Sequence, residues 1–201
     1  MIRAGRWLGR STGYAGAIAL IVAAPAAALA GAWTLPEGAG LIIESLYGWT
    51  GFGPPLGGPA VPQSKVEAQT YVEYGLTDRL TIFGQASLEH YALGHPTSDT
   101  YNGLDYSSIG LRAKIWSTGE WVFSGEAMLY APGAHDATQP AQAGNTGGAG
   151  EAGLLAGTNF TILSTPGFVD AQVGYRLRTA GPPDEWHGTS RSGSNSHPAS
   201  C

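Results

Sequence analysis

The chain of 201 residues is short of cysteine, of charge and of long apolar runs, and each scarcity excludes something. Its one cysteine, Cys201, is the last residue, so it can build neither an internal disulfide framework nor a cysteine-rich metal site. Charged residues make up only 12% of the chain, whereas Gly supplies 31 positions and Pro 13, a composition hostile to long helices. Beyond residue 30 no apolar run approaches the ~20 residues that a membrane-spanning helix requires. If the chain crosses a membrane there, it must do so as strands, whose backbone groups satisfy one another.

The first thirty residues are different. Arg3, Arg6 and Arg10 precede a small and apolar run from Ala15 to Ala30, which reads as the charged and hydrophobic regions of a signal peptide. The run is too short for a spanning helix and is interrupted by Pro25. Its small residues Ala28 and Ala30 place cleavage before Gly31, and cleavage two residues on, after Ala32, fits equally. Removal takes three of the ten basic residues and none of the fifteen acidic ones, leaving a formal charge of −8. Nucleic acid is excluded as a partner, because phosphate binding rests on clustered Lys and Arg.

Beyond residue 31 the chain alternates with period two, the signature of half-buried strands. Val66, Ala68, Thr70, Val72 and Tyr74 oppose Lys65, Glu67, Gln69, Tyr71 and Glu73. After a reversal through Gly75-Leu76-Thr77-Asp78-Arg79, Leu80, Ile82, Gly84, Ala86 and Leu88 oppose Thr81, Phe83, Gln85, Ser87 and Glu89. The same grammar runs through Leu41–Trp49, Ser108–Ile115, Glu120–Leu129, Ala152–Phe160 and Val169–Arg176. In each strand with two or more charges, the charges share one parity, and Asp105 is the exception if its strand begins before Tyr106.

Connections at Thr50–Ser64, His90–Gly103 and Ala131–Gly150 are long, and those at Gly75, Ser117 and Thr161–Gly167 are short. Alternating long and short loops, with strands of about ten residues, are the pattern of an outer-membrane barrel. Outward aromatics are expected at strand ends: Tyr74, Trp121 and Phe160 at the periplasmic side, Trp49 and Tyr175 at the outer side. The fold expected is therefore all-β, an antiparallel up-and-down transmembrane β-barrel. It comprises a signal peptide at 1–30, a barrel domain at 31–187 and a tail at 188–201.

The segment Ala32-Trp33-Thr34-Leu35-Pro36-Glu37-Gly38 and the unit Glu73-Tyr74-Gly75-Leu76-Thr77-Asp78-Arg79-Leu80-Thr81 carry a resemblance. Over about Ala32 to Glu185 the chain resembles the outer-membrane porin-like transporters of the MetA-pathway of phenol degradation type. That resemblance implies passive passage or binding of small molecules, and it brings no catalytic residues. The chain departs from the family at its end. Only about seven strands can be counted, an open and incomplete barrel, whereas single-chain bacterial barrels close with an even number of eight or more. From Gly188 the text is polar and without alternation. A natural polar tail is one account; an altered or truncated reading frame would explain both the odd count and the missing closing strand.

Catalytic and metal chemistry has little purchase. His90, His95, His135, His187 and His197 fall in expected loops or the tail at no metal-ligand spacing, and no Gly-x-Ser-x-Gly elbow occurs. Ser87, Glu89 and His90 are the one conceivable hydrolytic set, against the plainer reading of polar residues at a wet strand end. The expectation is a protein that is not an enzyme and holds no cofactor or metal. Its expected surroundings are outer-membrane lipid, the barrel-assembly machinery and a small-molecule solute. Six charges, Glu67, Glu73, Arg112, Lys114, Glu126 and Asp170, are expected to face the lumen. Either they line an aqueous route, or they pair across it and plug it, since a barrel of eight strands has little room beyond its side chains. The first makes the protein a passive transporter or pore, the second a non-conducting structural or surface-binding barrel.

Overall fold

The computed structural model describes residues 16–20, 31–53, 60–95, 99–133, 147–162, 165–179 and 183–194, the first of these as backbone alone. The described residues form ten strands and no helix: β1 (Gly16–Leu20), β2 (Gly40–Gly53), β3 (Val61–Thr77), β4 (Leu80–Leu93), β5 (Asp99–Leu104), β6 (Ser107–Ser117), β7 (Trp121–Ala131), β8 (Ala149–Ile162), β9 (Thr165–Arg178) and β10 (Glu185–Ser194). All pairings are antiparallel and the path through the sheet is β1-β2-β3-β4-β6-β7-β8-β9-β10, with β5 also on β4. This is an up-and-down sheet curved into an open half-barrel, whose edge strands β1 and β10 do not pair.

β5 and β6 lie end to end along β4 and act as one interrupted strand. Between the pairs Leu88↔Leu104 and Gln85↔Ser108, β4 advances three residues and its partner four. The extra residue is a β-bulge, and it turns both Asp105 and Tyr106 toward the concave face. That resolves the parity exception at Asp105. With β5 and β6 counted together, and β1 set aside, the half-barrel has eight strands.

The eighth strand is a correction to the sequence reading. Gly188–Ser194, expected to be tail, belong to β10 and pair residue by residue with β9, Ser194 opposite Gly167. Its outer residues Gly188, Ser190 and Ser192 carry no apolar stripe, so its place is set by backbone pairing and by the ion pairs of its inner residues Glu185, His187 and Arg191 with β8 and β9. The expected seven strands stop short for that reason. His187 lies in β10 and His90 in β4, not in loops, and residues 99–103 of the expected His90–Gly103 loop belong to β5. Residues 195–201, with His197, and His135 lie outside the described residues. So does most of the expected signal peptide, of which only Gly16–Leu20 is described, paired with β2.

Alternation otherwise holds as expected. On β3, Val66, Val72 and Tyr74 are exposed on the convex side while Glu73 is 1% exposed on the concave side. β2 is turned the other way from the girdle expectation. Its pairs Ile42↔Val72 and Leu46↔Ala68 put Ile42 and Leu46 outside. Trp49 therefore shares the concave side with Lys65 and Tyr91, its ring centroid 6.0 Å from that of Tyr91. β2 has only one charge, Glu44, which takes a 2.9 Å hydrogen bond from Thr70 on the convex side, so no shared charge parity marked its faces.

The larger of two apolar clusters forms where a strap runs over the concave face ahead of β2. Ala32, Trp33 and Leu35 are buried there, with Trp33 packed against Val122, Leu155 and, edge-on at 6.3 Å, Phe168. Gly157 lies under the indole, where any Cβ would strike the ring. A smaller cluster of Val61, Leu93 and Tyr101, with Tyr91 against it, closes over the far end of β3 and β4.

Candidate functional site

The strap and the strands enclose a polar cavity of about 400 Å³ on the concave face. Of the strap only Gly31 reaches the cavity lining, and the rest is held against the strands by hydrogen bonds. Leu35 N donates to Thr81 Oγ1 at 2.8 Å and Thr34 Oγ1 to the Asp78 carbonyl at 2.9 Å. Ser124 Oγ donates to the Ala32 carbonyl at 2.5 Å, and Arg112 Nη1 to the Trp33 carbonyl at 3.4 Å. Strand side chains thus satisfy an irregular backbone that water cannot reach.

Arg112, on β6, lines the cavity and stands between two carboxylates. Its Nη1 is 3.0 Å from Glu73 Oε1 on β3 and its Nε 3.4 Å from Glu126 Oε2 on β7. Tyr71 donates to Glu73 at 2.5 Å, Gln172 Nε2 donates to Glu126 at 2.5 Å, and the guanidinium lies 5.0 Å over the Phe83 ring. A buried cation and its two carboxylates are tolerated only when partnered in this way.

Farther along β8 to β10, Glu151 organises a second group. Its Oε2 receives Arg176 Nε at 2.7 Å and the Tyr130 hydroxyl at 3.0 Å, and its Oε1 is 3.1 Å from His187 Nε2. Arg176 also donates to the Tyr130 hydroxyl at 2.9 Å and lies 4.4 Å over that ring, which stacks in turn on Tyr106 at 5.2 Å. Lys65 forms a third group with Glu67 at 3.0 Å, Glu89 at 2.7 Å and Asp105 at 2.8 Å.

Each of the six charges expected to face inward lies on the concave parity of its strand. Glu73, Arg112 and Glu126 are brought together, Glu67 joins Lys65, and Asp170 meets Arg191 of β10 at 3.3 Å. Lys114 is half-buried on the same side. Sequence reasoning passed over Glu151, His187 and Arg191. Glu151 precedes the residue at which β8 was expected to start, and the other two belong to β10. Glu185, His187 and Arg191 share one parity, a signal that was legible. The set Ser87, Glu89 and His90 is not assembled: Ser87 is buried on the concave side, Glu89 is paired with Lys65, and His90 faces outward to Asn102 at 2.6 Å.

Among the described residues no cluster of His, Cys, Asp or Glu is arranged to hold a metal ion. Chemically, the cavity offers paired guanidinium, carboxylate, imidazole and phenol groups to a small polar molecule. Fold and site together define an antiparallel half-barrel with a charged inner face and an apolar outer one. No protein-family model, curated protein or solved structure matches the chain.

Proposed function

We propose that the chain is an exported outer-membrane barrel protein of the porin-like transport class suggested by its resemblance to the MetA-pathway type, and that its concave cavity is part of a passive route for small solutes. The observation that carries this reading is inverted polarity. Among the described residues the largest fully buried side chain is Glu73, whereas Ile42, Leu88, Leu129 and Leu154 are each more than 60% exposed on the convex face. A soluble sandwich turns its apolar faces inward. A sheet with apolar residues outside and ion pairs inside is solvated correctly by lipid on one face and water on the other.

A second reading, a non-conducting barrel, is favoured by the strap and the ion pairs that fill the concave face. The two are separated on protein purified in mild detergent from the outer-membrane fraction of expressing cells, because an open sheet must be closed by further strands or a second copy before it conducts. Transport predicts discrete single-channel steps in planar bilayers. Protein present in that fraction but electrically silent would leave the non-conducting reading standing, and absence from the fraction would end both.

A further inference from the structure

Asp170 on β9 is 1% exposed, and its surroundings satisfy only half of it. Arg191 Nε approaches Oδ1 at 3.3 Å from a half-exposed side chain, while Oδ2 is buried with no hydrogen-bond partner. A buried carboxylate oxygen without a donor is costly, and a native fold usually supplies one. The neighbour on that side is Gly31, the first residue of the strap. A substituent on its Cα in the Cβ position would lie 2.6 Å from Asp170 Oδ2 and 3.0 Å from Oδ1. For carbon those distances are a clash. For a charged nitrogen the two oxygen distances are those of a short ion pair, and a small outward shift of the Asp170 carboxylate relieves the 2.7 Å approach to its Cγ.

We propose that Asp170 is the receptor for the α-ammonium that signal-peptide removal creates on Gly31, so that processing itself anchors the strap. Hydrolysis adds water across the Ala30–Gly31 amide, leaving a carboxylate on Ala30 and an amine on Gly31 that takes up a proton. Glycine has no Cβ, so a rotation of about 120° around its Cα–C bond carries the new nitrogen into the position facing the carboxylate. The same geometry chooses between the two cleavage positions that the sequence leaves open. Cutting after Ala32 would discard both Gly31 and the Ala32 carbonyl that Ser124 holds. The inference rests on the export reading above and adds a destination for the new terminus.

The test uses mature protein from the outer-membrane fraction. N-terminal sequencing is expected to begin at Gly31. The α-amine should acetylate more slowly at pH 8 in folded than in urea-unfolded protein, by about fourfold for the first unit by which pairing raises its pKa and close to tenfold for each unit beyond. Asp170→Asn should bring the folded rate close to the unfolded one. A chain still starting at Met1 would overturn the export reading and the inference with it. A start at Trp33, or equal rates in folded and unfolded wild type, would overturn the inference alone. Unchanged protection in Asp170→Asn would do the same. Should that variant not fold, the wild-type comparison decides.

Discussion

At the scale of single residues, Arg112 matters most, because it neutralises two buried carboxylates and also holds the strap through the Trp33 carbonyl. Removing one member of a buried ionic group costs about 3–5 kcal/mol, chiefly through the charge left behind, whereas replacing the whole group by neutral side chains of similar volume is often close to neutral. Arg112→Met should therefore lower the urea midpoint of the purified protein markedly. Adding Glu73→Gln and Glu126→Gln to the same chain should recover most of the loss. A triple variant no more stable than Arg112→Met would show that the guanidinium acts by packing on Phe83 and the strap, and not by compensating charge.

Among elements, β3 offers the sharpest contrast between faces. Val72 is 41% exposed near its middle on the convex side, and Gln69 lies on the concave side at the cavity. An arginine at the lipid midplane costs about 2–4 kcal/mol. Val72→Arg is expected to deplete the protein from the outer-membrane fraction, and Gln69→Arg to leave its yield unchanged; equal yields would refute the lipid-facing assignment. The two faces of β3 were legible in the sequence because Lys65, Glu67 and Glu73 share a parity that the pleat converts directly into a side. β2 was misread because one charge cannot define a parity, and β10 was missed because serine and glycine fill its outer positions. The ion pairs were hidden for another reason. Parity says which face Arg112 is on, but only the stagger of three strands brings it to Glu73, 39 residues away, and to Glu126. The strap was out of reach of periodicity altogether, since irregular backbone has none.

On the scale of the whole molecule, the open edges decide behaviour. β10 has a free side, and loss of β1 with the signal peptide would free one side of β2 as well. Each backbone group left unpaired in hydrocarbon costs several kcal/mol. The isolated chain, refolded as a monomer, should therefore migrate identically on gels with and without boiling, where a sealed cylinder would shift. A heat-modifiable monomer would show that the edges find each other in solution. The strap adds a matter of timing. On the export reading proposed above it is the first part of the mature chain to leave the export channel, yet the hydroxyl that holds Ala32 is 92 residues downstream and the guanidinium that holds Trp33 is 79. The β3–β4 hairpin can zip as soon as it emerges, whereas the strap must wait with its indole uncovered until β6, β7, β8 and Phe168 of β9 have been delivered. The opening words of the mature chain are thus placed only after β9 has arrived, and the docking of Trp33 dates the delivery of nearly the whole sheet.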